Sequence, residues 1–164
     1  MHEMELIGVR VELPSNAPIV LLREASGEAR LLPIFIGAPE ATAIALALDG
    51  VATPRPMTHD LLRDVLEELS TDVERIVVTE LRDKTFFAEL HLVRGEERIV
   101  ISSRPSDAIA LAVRTGTPIY AAEEVIDEAG YRESEETDDV QSEEVVEQFK
   151  EFIDSISPED FDTD

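Results

Sequence analysis

Two segments constrain the fold of this 164-residue chain more than any other feature: PEATAIALAL at 39–48 and PSDAIALAVRT at 105–115. Both are rich in alanine and leucine, which enter helices at little cost, and each begins with a proline where a first turn tolerates the missing N–H. Past the acid in its first turn, the 39–48 segment has no polar side, so a helix made from it must be buried rather than laid along a solvated surface. Asp49-Gly50 suits the end of one helix, and Gly116 suits a left-handed cap on the other. Two such helices need an apolar sheet to lie on.

The remaining pattern supplies the sheet. Met4, Leu6, Val9, Val11 and Leu13 alternate as a strand, with one slip at Ile7-Gly8 that predicts a bulge. Segments 19–23 and 30–36 flank Ala25-Ser26-Gly27, a hairpin in which Gly27 supplies the positive φ. Three further strands, 75–81, 85–93 and 98–102, are joined by turn residues at 82–84 and 94–96 and read as antiparallel neighbours, while 118–121 forms a short last strand. Between the two sets a third helix opens at Thr58 as cap and carries Leu61, Leu62, Val65, Leu66 and Leu69 as one apolar stripe, closing at Ser70-Thr71-Asp72. The predicted class is α+β: a mostly antiparallel sheet packed with two buried Ala/Leu-rich helices and one amphipathic helix. The two apolar helices also echo each other, each following a strand with a proline and an acid at its start, as a duplicated unit would.

Charge divides the chain. Residues 1–122 hold 19 acids and 12 bases, whereas 123–164 hold 18 acids against Arg132 and Lys150, for a net charge of -23 overall. The predicted organisation is a domain at 1–130, an acidic mobile linker at 131–141, and an acidic amphipathic helix and tail at 142–164 with Val145, Val146, Phe149, Phe152, Ile153 and Ile156 on one face. Such acidity repels phosphate backbones, so composition by itself argues against a nucleic-acid binder. The absence of cysteine excludes disulfides, thiolate zinc sites and cysteine nucleophiles, and fits a reducing compartment. Acids at Glu3, Glu5 and Glu12 stand where a secretory signal would be basic and apolar, and no stretch approaches a spanning length, so a cytoplasmic protein without membrane partners is expected. Nucleophile elbow, HExxH, phosphate-binding glycine loop and dinucleotide fingerprint are all missing.

Three motifs remain, in order: Leu32-Pro33-Ile34-Phe35-Ile36-Gly37 leading to Glu40-Ala41; Arg55-Pro56-Met57-Thr58-His59-Asp60-Leu61-Leu62; and Ser103-Arg104-Pro105-Ser106-Asp107-Ala108-Ile109-Ala110-Leu111-Ala112, followed by Pro118-Ile119-Tyr120. In this order, over about residues 4–130, the chain resembles the bifunctional nuclease family. The resemblance implies an α+β fold that oligomerises, and nuclease activity on RNA and DNA as described for plant members. Many relatives carry an acid at the position of Ser102, so one carboxylate of the family pattern is absent here.

Phosphodiester cleavage with a metal needs carboxylates for Mg²⁺ or Mn²⁺, a group to activate water, and a cation for the developing charge. Glu40, Asp60 and Asp107 are the expected metal ligands, His59 the base, and Arg55 and Arg104 the cations; His59, Asp60, Arg104 and Asp107 form the expected catalytic set, with no organic cofactor. All lie at or just before helix starts, where converging N-termini would favour an anion. The same residues have ordinary uses: first-turn acids offset the helix dipole, Thr58 and Ser103 are caps, and Arg104 paired with Asp107 or Asp60 would lock the fold. Two functions are therefore expected to compete. One is a metal-dependent nuclease. The other is a non-enzymatic regulatory module, a homo-oligomer and by preference a dimer, presenting its acidic C-terminal helix to a protein partner.

Overall fold

The structure, a computed structural model, describes residues 1–133. From residue 134 the predicted linker, and all of the predicted helix and tail at 142–164, lie outside the described residues. The chain opens with β1 (His2–Glu12), β2 (Ala17–Glu24) and β3 (Leu31–Phe35), an antiparallel meander. The β1–β2 register shifts between Leu6 and Gly8, where the apolar alternation slipped, and Gly27 turns the β2–β3 hairpin at φ 79. Helix α1 (Ala38–Leu48) follows, then α2 (Thr58–Glu68). A second meander comes next, β4 (Asp72–Arg82), β5 (Thr85–Arg94) and β6 (Glu97–Ser103), and after it α3 (Pro105–Thr115), β7 (Ile119–Ala121) and α4 (Glu123–Ala129).

These strands form one sheet in the order β3-β2-β1-β7-β4-β5-β6. Three-residue β7 is its seam: it pairs antiparallel with β1 and parallel with β4, joining the two meanders. Helix α3 lies over β4 and β5 and against α1 and α2. Ala108, Ile109, Ala110 and Leu111 are wholly buried in it, the alanines keeping its neighbours close. Its start at Pro105 and its left-handed end at Gly116 (φ 65) match the expectation. With Ile44 of α1, Val125 and Ile126 of α4, and Val20, Leu22, Leu32, Ile34, Ile76 and Val78 of the sheet, α3 makes one continuous core. Each large side chain buried there contributes about 1.5–3 kcal/mol.

Two helices depart from the expectation. Helix α1 is not wholly buried: only Ala41 and Ile44 are, because β1, β2 and α3 cover one side while Leu48 at its end stays exposed. In α2 the apolar stripe divides. Leu62 and Leu66 pack against the core beside buried His59, whereas Leu61, Val65 and Leu69 face solvent, since α2 leans mainly on α3. No helix of the described residues is long and apolar enough to cross a membrane.

Candidate functional site

Helices α1, α2 and α3 each carry an acid in the first turn, Glu40, Asp60 and Asp107, and none has a side-chain cap on its N-cap residue. The N-caps are Gly37, Met57 and Arg104, so Thr58 and Ser103 do not cap. On α2 the Asp60 carboxylate does the work instead, accepting the Met57 N–H at 3.0 Å and starting the helix at Thr58. Ser103 turns its hydroxyl to the Arg104 carbonyl at 2.8 Å. A Cβ at Gly37 would run into the Glu40 carboxylate, which folds back over the start of α1, so any larger residue there must displace that carboxylate.

Four of the predicted residues meet. Arg104 donates from Nη2 to Glu40 Oε1 at 2.7 Å and from Nε to Asp107 Oδ2 at 2.9 Å. His59 Nε2 stands 2.9 Å from the other oxygen of Asp107, Oδ1. The result is a chain Glu40–Arg104–Asp107–His59 drawn from the starts of three helices. Exposure decides which members a ligand reaches: the Arg104 side chain is 63 % exposed and Asp107 32 %, whereas Glu40 is 14 % and His59 10 %. Arg104 is therefore not the buried lock that one sequence reading allowed. Hydrogen bonding to Arg104, helped by its own backbone N–H, holds the Glu40 carboxyl below the usual range, and the two carboxylates hold the Arg104 guanidinium above its own, Glu40 first.

Asp60 goes elsewhere. Its Oδ1 accepts from Arg114 Nε at 2.7 Å, and Arg114 also donates to the carbonyls of Ala110 at 2.8 Å and Ala43 at 3.0 Å. Arg114, 5 % exposed, so ties α1, α2 and α3 together from inside. Its guanidinium is the main reason the Asp60 carboxyl is lowered, with the Met57 N–H second. Arg55 is exposed in the 49–57 loop and joins neither network.

A divalent ion does not fit these side chains as a three-carboxylate cage. Arg104 occupies Glu40 and Asp107, Arg114 occupies Asp60, and among the described residues no three His, Asp or Glu side chains gather as metal ligands.

An open cleft of about 330 Å³ borders the network, lined by the end of β3 and the residues after it (Phe35, Ile36, Gly37), the β4–β5 turn and the start of β5 (Lys84, Thr85, Phe86) and Arg104-Pro105-Ser106. A larger hollow, about 440 Å³, lies between α1, the 49–57 loop and α2, but its Asp60 and Arg114 are already paired with each other. Sequence reasoning missed Arg114, whose signal is a lone cation near the end of an otherwise apolar helix. It also missed Lys84 and Phe35, which no local spacing connects to Arg104.

The family profile of the bifunctional nuclease domain matches residues 20–134, a span holding all four networked residues. An uncharacterised protein of Mycobacterium tuberculosis (strain CDC 1551 / Oshkosh) is 47% identical over 165 residues, covering 98% of both chains. Bifunctional nuclease 2 of Arabidopsis thaliana is 32% identical over 112 residues, 65% of this chain and 34% of the plant protein. Bifunctional nuclease 1 of Oryza sativa subsp. indica is 27% identical over 117 residues, 70% of this chain and 35% of its own. The alignments thus span about a third of these plant proteins' length. The domain match, which covers well over half of the chain, places it in the bifunctional nuclease domain family.

Proposed function

We propose that the chain is a nuclease cleaving phosphodiester bonds of RNA or DNA at the Arg104–Asp107 corner of the open cleft. The observation that carries this reading is the Glu40–Arg104–Asp107–His59 chain at the cleft's border, with its cation outermost. Arg104 is held in a fixed orientation by two carboxylates and presents a guanidinium to a phosphate, whose developing charge it stabilises. Asp107 is the reachable carboxylate and takes the base position toward water. His59 stands behind it, and when neutral its Nε2–H donates to Asp107 and fixes the rotamer. The plant relatives named as nucleases support the same reaction class. A homodimer working in the cytoplasm completes the proposal: among the described residues β6 leaves one edge of the sheet unpaired, and the lack of cysteine suits a reducing compartment.

The test is cleavage of labelled single-stranded RNA and DNA by the full-length chain in Mg²⁺, Mn²⁺ or EDTA. An exposed ion pair such as Arg104 with Asp107 contributes about 0–1 kcal/mol to stability, so Arg104→Ala and Asp107→Asn should melt close to the parent while losing cleavage about 100-fold or more. Cutting that persists in EDTA means the described side chains suffice; cutting lost in EDTA means an ion comes with the substrate. Absence of cutting in every condition would refute the nuclease reading and favour an interaction module whose acidic C-terminal segment meets a protein partner.

A further inference from the structure

The cleft beside Arg104 contains two groups that the ion network leaves unused. Phe35, the last residue of β3, is 62 % exposed, although its neighbours in sequence, Ile34 and Ile36, contribute to the core. Lys84 is exposed in the β4–β5 turn and forms no ion pair among the described residues. They stand 49 positions apart in sequence, yet both line the same cleft with Phe86 and Arg104. Leaving a phenyl ring in water forgoes its burial, and the β2–β3 register, which sets Phe35 opposite Ile19, does not require a large aromatic there.

An exposed ring flanked by cations in an open groove is how proteins hold single-stranded nucleic acid: a base stacks on the ring and phosphates meet the cations, without reading sequence. We propose that this cleft binds one strand of RNA or DNA, Phe35 stacking a base while Lys84 and Arg104 hold neighbouring phosphates, so that the site selects single strands. This rests on the nuclease reading and adds to it a substrate class and two binding residues. A base inside a duplex has both faces covered by its neighbours and offers none to Phe35. Lys84 matters because the chain is acidic and Arg104 is shared between two carboxylates, so the unpaired lysine supplies much of the local attraction.

The experiment is fluorescence anisotropy of a labelled strand of about 12 nucleotides, and of its duplex, with the full-length chain over a salt series, read beside cleavage of both. The single strand should bind more tightly than the duplex. Phe35→Ala should weaken single-strand binding roughly 5- to 100-fold while Phe35→Tyr keeps it. Lys84→Gln should reduce the slope of log K against log salt by about 0.7, the loss of one phosphate contact. Both positions are exposed, so these variants should melt like the parent. Equal binding by the parent, Phe35→Ala and Lys84→Gln, or a preference for duplex, overturns the proposal even where cleavage persists. Phe35-dependent binding without any cutting upholds it and removes the nuclease reading; neither binding nor cutting removes both. A change of molecular mass in Phe35→Ala would assign the ring to self-association and overturn the proposal as well.

Discussion

Arg114 and Asp60 show how a charged pair near functional motifs can serve the fold. Removing the guanidinium would leave the Asp60 carboxylate without its cation, held only by the Met57 N–H, and would take the side-chain donor from the Ala43 and Ala110 carbonyls, so Arg114→Met should cost about 3–5 kcal/mol and show as a lowered melting temperature. Asp60→Asn tests the ionic part. Because its carboxyl is lowered in the folded protein, the Asp60 contribution is fully present above the unfolded value, about 3.9, and disappears as pH falls through the lower folded value. The melting-temperature gap between parent and Asp60→Asn should therefore be widest near neutrality and close below about pH 4. A gap that stays constant to pH 3 would mean that the interaction is not ionic. Arg104 is the contrasting case, a cation whose side chain is 63 % exposed and whose loss should register in cleavage more than in melting.

Among the elements, α3 was legible almost to the residue because its ends are written in backbone chemistry, Pro105 at the first turn and Gly116 at a left-handed cap. Its alanines define a surface that tolerates no extra bulk. Ala110→Leu should cost about 1–3 kcal/mol or prevent folding, whereas Thr42→Leu on the exposed side of α1 should leave thermal melting nearly unchanged. If the two substitutions act alike, α3 is not the central helix. The 39–48 segment looked equally buried, yet apolar composition states what a helix could bury, not what covers it, and α1 has only one covered side. Three residues of β7 carry no periodicity, so its place at the centre of the sheet was invisible. The same limit applied to the site. Arg104 with Asp107 is a local pair at i,i+3 and could be read; Asp60 with Arg114 and Phe35 with Lys84 meet only through the sheet and helix layer.

For the whole molecule, the echo between the two apolar helices becomes a repeated order of elements: β1-β2-β3 leads into α1 as β4-β5-β6 leads into α3, with β7 closing the gap. The inner strands β1 and β4 meet at β7, so β3 and β6 become the edges. At β3 the edge is partly occupied, since Leu31 bridges to Tyr131, whereas β6 has no partner beyond β5 among the described residues. Val100 and Ile101 are exposed on that strand, 54 % and 46 %, and an edge with unpaired main chain and apolar side chains is a template for another strand. In the proposed dimer the same edge of a second copy would satisfy it under twofold symmetry: antiparallel pairing centred on Val100 would set Arg98 opposite Ser102 and Glu97 opposite Ser103, with no like charges face to face. Two chains of charge -23 repel each other at long range, so added salt should strengthen this dimer where it would weaken an attractive ionic one. Light scattering of the full-length chain at micromolar concentration should give twice the chain mass, more completely as salt rises. The double substitution Val100→Lys, Ile101→Lys should return it to a monomer that melts like a folded domain, because neither side chain belongs to the core. A monomeric parent would refute the dimer, and a dimer that survives both lysines would place its interface elsewhere, with the exposed Leu61, Val65 and Leu69 stripe of α2 the next surface to charge.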